Sequence, residues 1–407
     1  MSRLNGASLR LVLLVSCCHG LVHVYEHSFA SVEQLVAADF GVGTAVTGAI
    51  GSTLRLPFGL FALAAGWLAD RFGAKRLLLI YLVGCSGACM LAFFSAGLAL
   101  LFLAMFSLGA FASVYHPAGA GLISLHTIPT NRPMALGYHG ILGSAGIAAG
   151  PFVAAFVLSM GLSWQGFFLL LTVPGLLLAI LLHLRLHHES ENLSLKDVTG
   201  LDGGPAIDLE DQAHWPSFTL LLALGSMAGF TYAAILTFLP RYLDGANFRF
   251  LGLPPESIRN YLTSGVLGLG IVGQYTAGRI ARAHWLEPLL AAALLAAAPC
   301  VFWMGFAQGA GRVMAAALFA PLFFMHQPLF NSLVAKYVPR RRRSLCYGLT
   351  FTLGFGVGAF GPMFAGLARS DVVTYSTLAA VLTSAAMLAL ALWHWNLPRE
   401  SMEQASR

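Results

Sequence analysis

The chain has 407 residues, of which 57% are hydrophobic and only 10% charged, with a net charge of +6 and a mean hydropathy of +0.75. Soluble domains carry roughly 25% charged residues. This chain cannot cover a water-facing surface, which excludes a soluble enzyme and a nucleic-acid-binding protein. A positive excess spread thinly over this length fits loops facing an anionic leaflet.

The predicted elements are membrane helices, each needing ~20 apolar residues. Apolar runs bounded by charge or by Gly/Pro predict twelve spans: 9–32, 42–68, 76–95, 98–124, 133–159, 163–185, 216–242, 259–279, 286–307, 310–335, 343–368 and 372–396. The leading stretch has Arg3 and Arg10 before an apolar run. It continues past any clean cleavage site, so it reads as the start of span one rather than a signal peptide. Cys17, Cys18, Cys85, Cys89, Cys300 and Cys346 all fall in apolar runs and read as buried small hydrophobes. Residues 186–215 are acidic and poor in aromatics, and read as a flexible cytoplasmic linker. The expected fold is all-α: an N-terminal six-helix bundle over 1–185 and a C-terminal one over 216–407.

Basic residues set the orientation. Both tails and the loops carrying Arg71, Lys75, Arg76, Arg132, Arg279, Arg282, Lys336 and Arg340 to Arg343 face one side; the other holds Arg241, Arg249, Arg259, Arg312 and Arg369. The expectation is an integral protein of a bacterial inner membrane, monomeric, with both termini cytoplasmic.

The halves repeat. Gly137, Leu142, Gly143, Gly150 and Pro151 recur 211 residues later as Gly348, Leu353, Gly354, Gly361 and Pro362. A histidine near a proline precedes each block, in His116-Pro117 and His326-Gln327-Pro328. Parallel repeats with a binding site between them are the architecture of alternating-access carriers.

Ionisable groups at membrane depth are costly and are functional candidates by default. Span one carries His19, His23, Glu26 and His27 within an arc of about 100°. Span two adds Arg55 at mid-depth, span four His116, span five His139, span seven Tyr232 and span ten His326. Histidine exchanges protons near neutral pH. Burial and a neighbouring cation pull on a glutamate's protonation in opposite senses. Glu26 with His23 is therefore the expected proton-coupling pair. An ion pair of Arg55 with Glu26 is the structural alternative. His19 and His23, spaced i and i+4, would also suit a transition metal. Metal-dependent thermal stabilisation, lost on changing both, separates those readings. Gly268, Gly270 and Gly273 match a dinucleotide fingerprint, but no strand precedes them and they lie within span eight. They read as helix packing, and no cofactor is expected.

Gly66-Trp67-Leu68-Ala69-Asp70-Arg71-Phe72-Gly73-Ala74-Lys75-Arg76, between spans two and three, resembles the corresponding loop of the major facilitator superfamily. The resemblance implies a twelve-helix transporter in which spans one, four, seven and ten line the cavity. It also implies that Asp70, with Arg71 and Arg76, latches the cytoplasmic side against span eleven. In the second half Arg282 stands where Asp70 does in the first, so such a latch is asymmetric. The early span-one histidine, Tyr115-His116-Pro117-Ala118-Gly119 and Gly146-x-x-x-Gly150-Pro151 are similar to the fosmidomycin-resistance-like branch. His23 departs from that pattern, where an aspartate is expected, as do Ala154 and Ala155, where glycines are common. The resemblance implies proton-coupled antiport and efflux of a small polar or amphiphilic compound, with small-molecule substrate, protons and bilayer as partners. A metal or metal-chelate transporter and a non-transporting receptor or scaffold are the rival readings.

Overall fold

The computed structural model describes residues 6–125, 127, 132–186, 214–250, 252–339 and 342–405. Among them there is no strand, and the helices make twelve spans. Spans one to three are Gly6–Phe40, Thr44–Phe72 and Ala74–Phe93; five and six are Arg132–Ser159 and Trp164–Leu186. Seven to nine are Trp215–Asp244, Pro255–Ile280 and Leu286–Met304, and twelve is Asp371–Ala405. The predicted linker 186–215 lies outside the described residues apart from its edges. Span six closes at Leu186, and span seven opens at Trp215 with a proline in its first turn, where a missing N–H costs nothing.

Eleven spans are long and apolar enough to cross a membrane. Span eight is long enough but less apolar, because glycines, Asn260 and Gln274 dilute it. Its polar Arg259 and Asn260 are buried against protein. Span six shows the opposite surface: Leu177, Ile180 and Leu184 are exposed, as a lipid-facing helix requires. Cys300 is only half-buried and Cys17 is exposed, against the expectation that all six cysteines are buried. Cys17 lies on the outer side of span one, and a thiol there meets lipid as readily as a methyl group would.

Three spans predicted as continuous are broken. Span four is Leu98–Ala112 then Tyr115–Leu125, span ten is Ala310–Phe324 then His326–Tyr337, and span eleven is Arg343–Gly358 then Phe360–Leu367. Each break lies at or next to the carbonyl four residues before a proline: Pro117, Pro328 and Pro362. Proline supplies no N–H to that carbonyl, and its ring collides with it. Proline does not always break the helix: Pro151, the repeat mate of Pro362, sits inside an uninterrupted span five.

Span one runs to Phe40, eight residues beyond its predicted end. The polar residues that ended the apolar run are paired instead of solvated. Glu33 meets Arg241, Gln34 meets Asp244, and Asp39 accepts from the Trp164 indole at 3.0 Å.

Buried apolar side chains form two clusters. One is drawn from residues between Leu11 and Leu182, the other from Phe218 to Leu392 with Ile147 of span five added. Small residues let helices approach within each cluster. Gly146 of span five faces the backbone of Gly20 in span one, and Gly150 faces His27 Cβ. Span eleven packs on span seven in the same way, Gly354 and Gly358 facing Gly229 and Gly361 facing Phe230 and Ala234. Between the clusters, span two packs on span eleven through Gly48 and Pro362, and span five on span eight through Phe152 and Tyr261. Gly270 and Gly273 of span eight lie against Phe324 and Pro321 of span ten.

A Cβ on Gly361 would stand 2.5 Å from the Phe230 carbonyl oxygen and 2.8 Å from the Ala234 nitrogen, both backbone atoms that cannot swing aside. One on Gly150 would meet only the His27 Cβ at 3.3 Å. Gly361→Ala should therefore cost ~1–3 kcal/mol through overpacking and Gly150→Ala less. Thermal unfolding in detergent micelles checks this, and an unchanged Gly361→Ala midpoint would contradict it.

Candidate functional site

The polar face of span one sets the site. Residues 19, 23, 26 and 27 share that face because successive side chains are 100° apart. Glu26 is fully enclosed and sits between three partners. Arg55 Nη1 of span two donates to its Oε1 at 2.8 Å, and His23 Nδ1 donates to its Oε2 at 2.8 Å. His27 Nε2 lies 3.9 Å from Oε2. Both Arg55 and Glu26 are almost wholly hidden, at 2% and 3% exposure, so neither charge could persist there without the other.

The network reaches across the two clusters. His27 Nε2 lies 3.1 Å from the Tyr232 hydroxyl of span seven, and the Arg55 guanidinium sits 5.5 Å from the Tyr232 ring centre. Span seven therefore touches both the glutamate's counter-ion and its neighbour. Any sliding of span seven against span one changes what surrounds Glu26.

On the other side of His23 lies a group of imidazoles. His19 Nδ1 donates to the His139 carbonyl at 2.7 Å, and the two rings stack with centres 3.8 Å apart. His19 Nε2 and His23 Nε2 face each other at 3.3 Å. His116 completes the group: His19, His23 and His116 each offer a ring nitrogen, all within 4.8 Å of one another. His116 stacks on Phe351 of span eleven at 5.1 Å, and its Nε2 is buried with no hydrogen-bond partner. The Tyr115 hydroxyl donates to the Val15 carbonyl at 2.6 Å and stands 3.1 Å from His139 Nε2, tying span four to spans one and five.

His326 does not join this group. Its Nδ1 donates to the Phe323 carbonyl at 2.5 Å, at the break in span ten, and its ring packs on Phe323. There it satisfies a backbone acceptor at the helix break. Arg71 and Arg76 of the inter-span loop are exposed, and Arg71 lies over Trp67 and Phe72. The backbone of Asp70 is helical, but its side chain lies outside what the structure describes.

A second polar layer closes the end of the molecule opposite the termini. Arg241 of span seven grips Glu33 with Nε at 2.9 Å and Nη2 at 3.0 Å, and the Thr47 hydroxyl donates to the same carboxylate. Beside it, Gln34 donates to Asp244 at 3.1 Å, Asn260 of span eight to the Ser31 carbonyl at 2.8 Å, and Thr44 to the Gly366 carbonyl at 2.8 Å. At the termini end, among the described residues, Lys336 pairs with Glu287 at 2.7 Å within the second half. Deeper in, Ser144 of span five bonds to Gln274 of span eight, which donates to Gln327 of span ten at 2.7 Å.

Glu33, a buried carboxylate of span one, is not among the site residues expected from the sequence. The signal was present: Glu33 is seven residues after Glu26, almost two full turns, and so on the same face. Its neighbourhood on the sequence, with Gln34 and Asp39, made it look like a loop.

The profile of the Major Facilitator Superfamily matches residues 14–362. The chain belongs to this superfamily. It is thus a transporter of small molecules in a membrane, not an enzyme. Over 386 residues it is 23% identical to the hexuronate transporter of Bacillus subtilis, covering 90% of this chain and 89% of that one. Over shorter stretches it is 31% identical to the "Probable actinorhodin transporter" of Streptomyces coelicolor and 32% identical to a puromycin resistance protein of Streptomyces alboniger. Those alignments cover 33% and 36% of this transporter and span only 24% and 29% of the two relatives' own length. Among solved structures, a D-xylose-proton symporter superposes with a TM-score of 0.74 at 15% identity, covering 94% of this chain and 97% of that one. A bacterial homolog of the human lysosomal transporter Spinster, in an inward-facing form, superposes at 0.71 and 14% identity, covering 97% and 96%. At such identities these two speak for the fold alone.

Proposed function

We propose that the transporter is a proton-coupled exporter of a small polar or amphiphilic compound. In this reading it works as a monomer in a bacterial cell membrane with both termini cytoplasmic, on the fosmidomycin-resistance-like branch, and the two six-helix halves rock about a shared site. The observation that carries the proposal is the placing of Glu26. A carboxylate sealed at mid-membrane is paired with Arg55, hydrogen-bonded to His23, and linked through His27 and Tyr232 to the helix that must move. Alternating access separates span one from span seven. That separation removes Tyr232 from both Arg55 and His27 and alters the field at Glu26 and His23. A group whose partners change with the conformation can take a proton on one side and release it on the other, which is what coupling requires.

Export is supported by the Streptomyces relatives, one named a puromycin resistance protein and one a probable actinorhodin transporter. The excess of basic residues on the termini side supports the orientation. The layer built on Glu33 and Arg241 then faces outside and closes that face. Asp70 would hold the cytoplasmic side when it closes in turn.

The test is transport in reconstituted vesicles with an imposed pH gradient, screening polar and amphiphilic compounds. An acidic interior in inside-out vesicles should drive accumulation, and collapsing the gradient with a protonophore should end it. Accumulation unaffected by the protonophore would overturn proton coupling.

A further inference from the structure

The imidazole group beside Glu26 has more nitrogen lone pairs than the protein supplies protons or donors for. The His139 carbonyl can only accept, so His19 Nδ1 carries a hydrogen. The Glu26 carboxylate, held by Arg55, can only accept as well, so His23 Nδ1 carries a hydrogen. A neutral imidazole has one N–H. In the neutral rings, both Nε2 atoms therefore present lone pairs to the same space, 3.3 Å apart. Two lone pairs at that distance repel unless a cation lies between them. His116 Nε2, buried and without a hydrogen-bond partner, is a third unsatisfied acceptor or donor in the same cluster. A proton can bridge two of these rings but leaves the third unmatched.

We propose that His19, His23 and His116 form a binding site for a divalent transition metal of the zinc kind. Geometry supports this. Nitrogens held at ~2.0–2.1 Å around a tetrahedral ion stand about 3.3–3.4 Å from one another, the separation of His19 Nε2 and His23 Nε2. The third nitrogen lies within 4.8 Å of the other two, and His116 would have to turn its ring toward them to join the same ion. The outer partners also match what metal-binding histidines need. Such a histidine gives its second N–H to a carboxylate or a backbone carbonyl, which fixes the ring and its tautomer. Here Glu26 does this for His23 and the His139 carbonyl for His19. Arg55 would repel a metal ion, but its charge is matched by Glu26 at 2.8 Å.

Three protein nitrogens leave the fourth position of a tetrahedral ion open, so an exchangeable ligand or a chelating cargo could complete it. The ion would fasten span four to span one, with span five held to the site through the His139 carbonyl that fixes His19. The site shares Glu26 with the proposed coupling reading, but its metal affinity is measured without transport.

The test uses the full-length transporter purified without a histidine tag, stripped with chelator and titrated with Zn²⁺ by calorimetry and with Co²⁺ by visible absorption. One equivalent of Zn²⁺ should bind, and Co²⁺ should develop the intense visible bands of a tetrahedral nitrogen site. Losing an outer partner of a metal histidine typically lowers affinity ~10–100-fold. His19→Gln, His23→Gln and His116→Gln each remove a ligand and should weaken binding by at least as much. His326→Gln, which lies outside the group, should bind as the unaltered protein does. Affinity in all three ligand variants equal to that of the unaltered protein would overturn the proposal. Should a variant fail to fold, the spectrum of the unaltered protein decides: absence of the Co²⁺ bands overturns the site and leaves a proton shared by His19 and His23 as its occupant.

Discussion

Arg55→Met is expected to be among the most destabilising single changes in the molecule. It leaves Glu26 enclosed with no counter-ion, and removing one partner of a buried ion pair typically costs ~3–5 kcal/mol. The doubly altered Arg55→Met, Glu26→Gln protein should recover most of that loss, because no uncompensated charge then remains. Comparison of thermal midpoints for the two single variants and the double variant isolates the interaction. A midpoint for Arg55→Met equal to that of the unaltered protein would show that water reaches Glu26 and that the pair is not sealed. Arg241 provides the contrast. It grips Glu33 with two bonds, but its side chain is 34% exposed. Water can replace it, so Arg241→Met should cost little in stability. Its effect should appear instead as easier opening of the end opposite the termini, read as increased labelling of a cysteine placed below Glu33.

The sequence made the twelve spans and the polar stripe legible because both follow from simple periodicity. Apolar runs of one length mark a bilayer, and residues 19, 23, 26 and 27 share a face by arithmetic. Pairing across the chain was not legible. Glu33 and Arg241 are 208 residues apart, and nothing local in either reveals the other. Span one therefore appeared to end where its polar residues began, although those residues were only paired elsewhere. The breaks in spans four, ten and eleven were half-visible in Pro117, Pro328 and Pro362. The unbroken span five around Pro151 shows why proline alone does not settle the matter. His326 was misplaced for a related reason. The repeat aligned it with His116, and the structure uses it to satisfy the Phe323 carbonyl at the break, a role no repeat could disclose.

Glu26→Gln is expected to abolish accumulation driven by a pH gradient while leaving substrate binding and gradient-independent exchange largely intact. The amide keeps the shape of the carboxylate, and its oxygen can still accept from Arg55. Its nitrogen, however, would meet the Nδ1–H of His23, two donors facing each other, so His23 must reverse its tautomer and place its hydrogen on Nε2. The packing keeps its shape and the sealed carboxylate is gone, but Arg55 loses its counter-ion, so this variant should also lose stability. Loss of a coupling acid should uncouple movement of substrate from the proton gradient rather than stop it: counterflow of labelled substrate at equal pH continues, and net uphill movement ceases. Vesicle assays run in parallel, one with a pH step and one with substrate exchange at symmetrical pH, separate the two. If Glu26→Gln accumulates substrate against a pH-driven gradient as well as the unaltered protein does, the coupling site is not Glu26, and His23 and His27 must carry it. If exchange is lost together with accumulation, Glu26 serves binding or packing instead of coupling, because Arg55 would then be the unpaired charge that disables the site.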